Sequence, residues 1–220
     1  MYFKTLRISL ALGLLLLAAP LNIYSADSGK IGEQFEESFI YEAAGNYDAA
    51  LNSVLRVLRI DQKHYTAMLR AGWLAYLKGD FSAAEKYYRK AVSLAPDAIE
   101  PRQGLMLPLA AAKKWPETEA TARQILKTDQ KNYTAYSKLA YALFQQGKYG
   151  DAKIIYQRLL DWYPSDADMK LGLAWTYQRM GRTGDGARYF NEVLEVYRNN
   201  QNALSGLEAI TMKGAGNLRK

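Results

Sequence analysis

Gly45, Gly79, Gly147 and Gly181 stand at intervals that are all multiples of 34 residues. A chain spaced in this way is built from copies of one unit. The copies align without insertion as 31–64, 65–98, 99–132, 133–166 and 167–200, and the half unit Gln201–Lys213 follows. Each copy reads as two short helices, and helical pairs at a fixed period make a solenoid, in which every unit leans on its neighbours. Such stacks mostly hold other proteins, which turns the expectation from enzyme to scaffold before any side chain is weighed.

With the places in a unit numbered 1 to 34, the glycines hold place 15. Glycine ends a helix well because it reaches positive φ without a Cβ clash. Place 17 carries Tyr47, Phe81, Trp115, Tyr149 and Thr183. Place 20 carries Ala50, Ala84, Thr118, Ala152 and Gly186, all small enough to let paired helices approach closely. Place 28 carries Leu58, Val92, Leu126, Leu160 and Leu194, and Pro96 and Pro164 at place 32 stop the second helix.

This pattern resembles the tetratricopeptide repeat family, with its 34-residue helix–turn–helix unit. Unit two matches best, through Gly72, Gly79, Phe81, Ala84, Tyr88, Ala91 and Pro96. Unit three departs most, with Met106, Lys113 and Thr118 at small-residue places, and Pro108 inside its first helix is expected to kink it. The strict period disfavours another class of paired-helix repeat. The resemblance implies an all-α, right-handed superhelical solenoid of five repeats over residues 27–213, closed by a capping helix over 202–213, with 214–220 as a flexible basic tail. A longer echo joins Asp61–Ala67 to Asp129–Ala135 at a separation of 68 residues, which suggests duplication of a two-unit block.

Residues 1–26 read as a signal peptide. Lys4 and Arg7 precede the mostly apolar stretch Ile8–Leu21, which is short for a bilayer span, and a polar segment starts at Asp27. Cleavage after Ser25 leaves Ile23 three residues back, and cleavage after Ala26 leaves Tyr24 there, so an uncleaved anchor stays open. The chain has no cysteine, which excludes disulfides and a lipid-modified N-terminus. Export without disulfides suits a bacterial periplasm. Removing Lys4 and Arg7 takes the formal charge from +7 to +5, and basic residues such as Lys86, Arg89 and Lys90 lie on a solvent-facing helix side. No concentrated basic face for nucleic acid results.

The residues offer no enzyme, no cofactor and no metal site. His64 is the one histidine, read as a polar loop residue between repeats. Carboxylates such as Glu36, Glu37, Asp166 and Asp168 sit at helix starts, and Ser165 with Asp168 resembles a cap. The informative chemistry is apolar. At 100° per residue, places 4, 7, 8 and 11 of a first helix form one face, and places 2, 5, 9, 12 and 13 form the opposite one. The opposite face carries Phe35 and Phe39, Leu69, Trp73 and Tyr76, Leu107, Tyr141 and Phe144, and Leu171 and Trp175, although one buried face would suffice. Any of these residues could equally serve packing, except that Trp73 and Trp175, both at place 9, are the stronger groove candidates. The family resemblance implies that those places line a concave groove for a partner peptide. It also implies no capture of a chaperone's terminal carboxylate, which in the family uses Lys at place 5 and Asn at place 9, where this chain has Phe35 and Phe39.

The expected role is a non-enzymatic adaptor of the bacterial envelope, binding an apolar or aromatic segment of another protein. A membrane-tethered scaffold and a self-associating homo-oligomer are the alternatives. The leader reading makes a direct prediction. Intact mass of the exported protein should show a chain beginning at Ala26 or Asp27, whereas a full-length species released only by detergent would favour the tether.

Overall fold

The computed structural model describes residues 19–217 and is all helical there. Eleven helices run α1 (Ala19–Ala43), α2 (Tyr47–Ile60), α3 (Tyr65–Leu77), α4 (Phe81–Leu94), α5 (Glu100–Ala111), α6 (Trp115–Thr128), α7 (Tyr133–Gln145), α8 (Tyr149–Trp162), α9 (Ala167–Arg179), α10 (Thr183–Val196) and α11 (Gln201–Asn217). Odd helices are the first helices of the units and even helices the second. The expected leader at 1–26 lies outside the described residues up to residue 18, and α1 runs unbroken through the proposed cleavage point. At the other end α11 passes Lys213 and continues to Asn217, and the remainder of the expected tail, 218–220, lies outside the described residues. No helix among the described residues is long and apolar enough to cross a membrane.

The turn between paired helices is the same in all five units. The amide at place 15 donates to the carbonyl three residues back, and the amide at place 16 donates five back, as in Gly79 to Tyr76 and Asp80 to Ala75, both 2.9 Å. This double bond pattern needs a left-handed residue at place 15. Four glycines supply it at φ between 72° and 81°, and Lys113 is forced into the same geometry at φ 57°. The degenerate unit therefore keeps the turn although it has lost the glycine that suits it.

Side chains cap most helices. His64, Asn132, Asp166 and Asn200 at place 34 accept from the amides of Ala67, Ala135, Met169 and Ala203. His64 is thus a helix cap through Nδ1, and Asp166 caps α9 where Ser165 was expected. Unit three has no such cap and carries Pro101 in the first turn of its first helix. The helix then continues through Pro108, which has no N–H to offer the Gly104 carbonyl.

Each second helix packs on its own first helix and on the first helix of the next unit, and successive first helices also touch, α3 reaching α1 through Arg70 and Trp73. The first helices thus form one wall of the stack. Places 8, 20 and 27 are buried in every unit, and place 27 (Val57, Ala91, Ile125, Leu159, Val193) is buried more deeply than place 28. Places 20, 24 and 27 are spaced as one helical seam, with place 28 on its flank. The core is a chain of separate clusters, one for units one and two, one for units three to five, and one under the cap. A small cluster of Tyr88, Leu105 and Leu109 sits between the first two.

One contact recurs between units. The ring at place 24 lies over place 6 of the next first helix, where a Cβ would come within 2.1 Å of Tyr88 at Gly104, 2.3 Å of Tyr156 at Gly172 and 2.2 Å of Phe190 at Gly206. Only glycine admits the ring. Where place 24 is the smaller Val54 or Ala122, the next unit carries Arg70 or Lys138 instead. Outside the core, half-buried carboxylates brace unit three on both sides. Glu85 accepts from Lys114 and Arg89, and Glu119 accepts from Lys148, Gln146 and Arg123, all at 2.8–2.9 Å.

Two outcomes follow from these contacts. Lys113→Gly should raise stability by roughly 0.5–1 kcal/mol, seen as a higher urea midpoint, because a left-handed non-glycine residue is strained. Burial alone would raise the Glu119 pKa, but the bonds from Lys148, Gln146 and Arg123 outweigh it and lower it from its usual 4.5 to about 2. A carboxyl depressed in the folded state adds stability above its unfolded value, and that stability is lost as pH falls through the folded one. The urea midpoint of the native chain should therefore drop more between pH 4.5 and 2 than that of Glu119→Gln.

Candidate partner-binding groove

The inner wall of first helices carries two cavities. The first, of about 520 Å³, lies between α3 and α5 and is lined by Leu69, Arg70, Trp73, Tyr88, Glu100, Gly104 and Leu107, with Phe39 at its edge. The second, of about 570 Å³, lies between α7 and α9 and is lined by Lys138, Tyr141, Phe144, Tyr156, Asp168, Leu171, Gly172 and Trp175. Both have a tyrosine floor. Tyr88 and Tyr156 project from second helices and reach the inner wall past Gly104 and Gly172, whose missing Cβ leaves the opening. Burial pushes both phenols upward, with the nearby Glu100 adding to the effect at Tyr88.

Polar contacts hold the rims. At the first cavity the Glu42 carboxylate accepts from Trp73 Nε1 at 2.7 Å and pairs with Arg70 at 2.8 Å. Arg70 also donates to Ser38 at 2.7 Å and sits 3.7 Å above the Phe39 ring. The guanidinium is thereby locked between two units. At the second cavity Trp175 Nε1 donates to Asn202 at 2.8 Å, and its ring meets the edge of Phe190 at 5.2 Å. Lys138 and Arg179 also line this cavity, and neither forms an ion pair among the described residues.

The aromatic residues singled out from the sequence divide in two. Phe39 (57% exposed), Trp73 (36%) and Tyr141 (44%) present open rings to the groove. Leu69, Leu107, Phe144 and Trp175 are half-buried and still line a cavity. Leu171 also lines the second cavity but is only 5% exposed and belongs to the core under the cap. Phe35 packs into the first core cluster beside the His64 ring, and Tyr76 lies between Trp73 and Phe81; neither lines either cavity. The groove residues that the apolar face pattern missed are those at places 2, 6 and 24. Arg70, Lys138, Glu100 and Asp168 are charged, and Tyr88 and Tyr156 sit on the other helix, so a search of one helix for apolar residues passes over them. Their repetition at 68 residues was the available signal.

An inner wall of repeated helices with shaped cavities defines an α-helical repeat protein of the solenoid class. Two family models described as tetratricopeptide repeat match it, one over residues 40–99 and the other over 109–175 and 143–211. The chain belongs to the tetratricopeptide repeat family. It is 31% identical over 101 residues to small glutamine-rich tetratricopeptide repeat-containing protein 2 of Mycosarcoma maydis. That match covers 46% of this chain and spans only 29% of the relative's length.

Solved structures share the fold at low identity. A tetratricopeptide repeat protein from Parabacteroides merdae has a TM-score of 0.79 at 16% identity, over 87% of this chain and 76% of that one. MamA from Desulfovibrio magneticus gives 0.73 at 17%, over 78% and 97%. YrrB, described as having an unusual peptide-binding site, gives 0.71 at 13%, over 87% and 100%.

Proposed function

We propose that this chain is a non-enzymatic adaptor whose inner groove holds an apolar or aromatic segment of a partner protein. The observation that carries this reading is the set of open rings at Phe39, Trp73 and Tyr141 on the wall opposite the packed face of the first helices. Large rings with a polar edge, partly sheltered in cavities, give binding area at little rotamer cost, which is what interface hot spots share. YrrB, a repeat protein with an unusual peptide-binding site, agrees with such a role. The proposed setting is the bacterial envelope, with the partner another exported protein, on the grounds of the basic start, the Ile8–Leu21 stretch and the absence of cysteine.

The test separates binding from folding. Trp73→Ala should weaken partner binding by about 2 kcal/mol or more, roughly 30-fold. Its cost to stability should stay well under the 3–5 kcal/mol typical of truncating a buried tryptophan. Leu74→Ala, one residue on and fully buried, should do the opposite, losing about 2–5 kcal/mol of stability while the folded fraction still binds. The partner is obtained by pull-down from envelope extract with a Trp73→Ala, Trp175→Ala double variant as control. Equal unfolding by Trp73→Ala and Leu74→Ala in urea would make the rings core and end the groove reading.

A further inference from the structure

The two cavities are one design placed twice. A shift of 68 residues carries Arg70 to Lys138, Trp73 to Tyr141, Tyr88 to Tyr156, Glu100 to Asp168, Gly104 to Gly172 and Leu107 to Trp175, and each of these residues lines its own cavity. The two alternate junctions break the pattern, since Val54 and Ala122 provide no ring and the following helices carry a cation where the glycine would be. The last copy of the floor, Phe190 over Gly206, lacks a hydroxyl and is covered by Trp175. The hydroxyls of Tyr88 and Tyr156 make no hydrogen bond among the described residues. The duplicated segment Asp61–Ala67 and Asp129–Ala135 therefore marks more than ancestry, because the duplicated block contains a cavity.

Charge separates the two copies. In the first, Arg70 is paired with Glu42, and the lining also holds Glu100, which accepts from Tyr65, so no cation is left over. In the second, Lys138 and Arg179 stand against Asp168 alone. Packed helices lie about 8–10 Å apart, so cavities two units apart are separated by roughly 20 Å, which an extended chain spans in about six residues. An even spacing also puts both side chains of an extended segment on the same face.

Resting on the groove reading above, we infer that the groove is a two-anchor clamp for an extended segment of a partner protein. The segment carries two aromatic or large aliphatic side chains about six residues apart, with an acidic residue beside the one that enters the second cavity. Two linked anchors bind far more tightly than one, because the second enters at the high effective concentration set by the first.

Fluorescent Gly/Ser peptides carrying two tryptophans at spacings from about two to about ten residues, with one Asp beside the second, test this on the full chain by anisotropy. The two-tryptophan peptide should bind best near six residues and at least tenfold more tightly than peptides with a single tryptophan. Trp73→Ala and Trp175→Ala should each remove most of that advantage while leaving single-tryptophan binding to the other cavity. Changing the peptide Asp to Lys should weaken binding, and Lys138→Glu should restore it. Two-tryptophan peptides that bind no better than single ones at every spacing overturn the clamp and leave the groove reading standing. An absence of binding by any of the peptides overturns both.

Discussion

The stack depends on one repeated contact, the meeting of place 24 on a second helix with place 6 on the next first helix. Where the former is Tyr88, Tyr156 or Phe190, the latter is glycine, because a Cβ there would lie inside the ring. The ring fills the gap between two units and brings their helices to packing distance. It also forms the groove floor at two of the three places. Stability of the junction and shape of the binding surface thus share the same atoms, and neither can drift without the other.

Unit three shows what a linear stack requires when a copy decays. It has a strained lysine at the turn, a proline inside its first helix, a threonine at the close contact and no side-chain cap. In such an array a weak unit cannot borrow from a distant core, since each unit touches only its neighbours. The compensation is local. Arg102 ties the carbonyls of Pro96 and Ala98 at the entry to the unit. Glu85 and Glu119, both half-buried, reach the lysines Lys114 and Lys148 of the following turns. Isolated surface pairs contribute little, but shielded carboxylates with two or three donors form networks that hold geometry.

Much of this was legible in the chain. The glycine spacing gave the unit boundaries, and all five turns formed where it placed them, because a left-handed residue is a local backbone demand. Burial depth was less legible. Place 28 was uniformly apolar and drew notice, yet place 27 is the deeper one, since the seam follows places 20, 24 and 27. Among the inner-face residues, Phe35, Tyr76 and Leu171 turned out to be largely packing residues, while Phe39, Trp73 and Tyr141 stayed open. The open rings all hold place 9, whereas Phe35 and Leu171 hold place 5 and Tyr76 holds place 12, so the repeat register separates cases that one apolar face merges.

What the sequence by itself determined is the one-dimensional order of the protein: helices, turns, caps and the repeat that joins them. Each of these rests on contacts within a few residues, where pattern and structure are nearly the same thing. Only the tertiary structure decided that Tyr88 and Tyr156 emerge on the opposite helix layer through Gly104 and Gly172, and that Arg70 is held by Glu42 while Lys138 forms no ion pair among the described residues. Those outcomes depend on how far apart neighbouring helices settle. That distance is set by the volumes of side chains meeting across units, which no single helix contains.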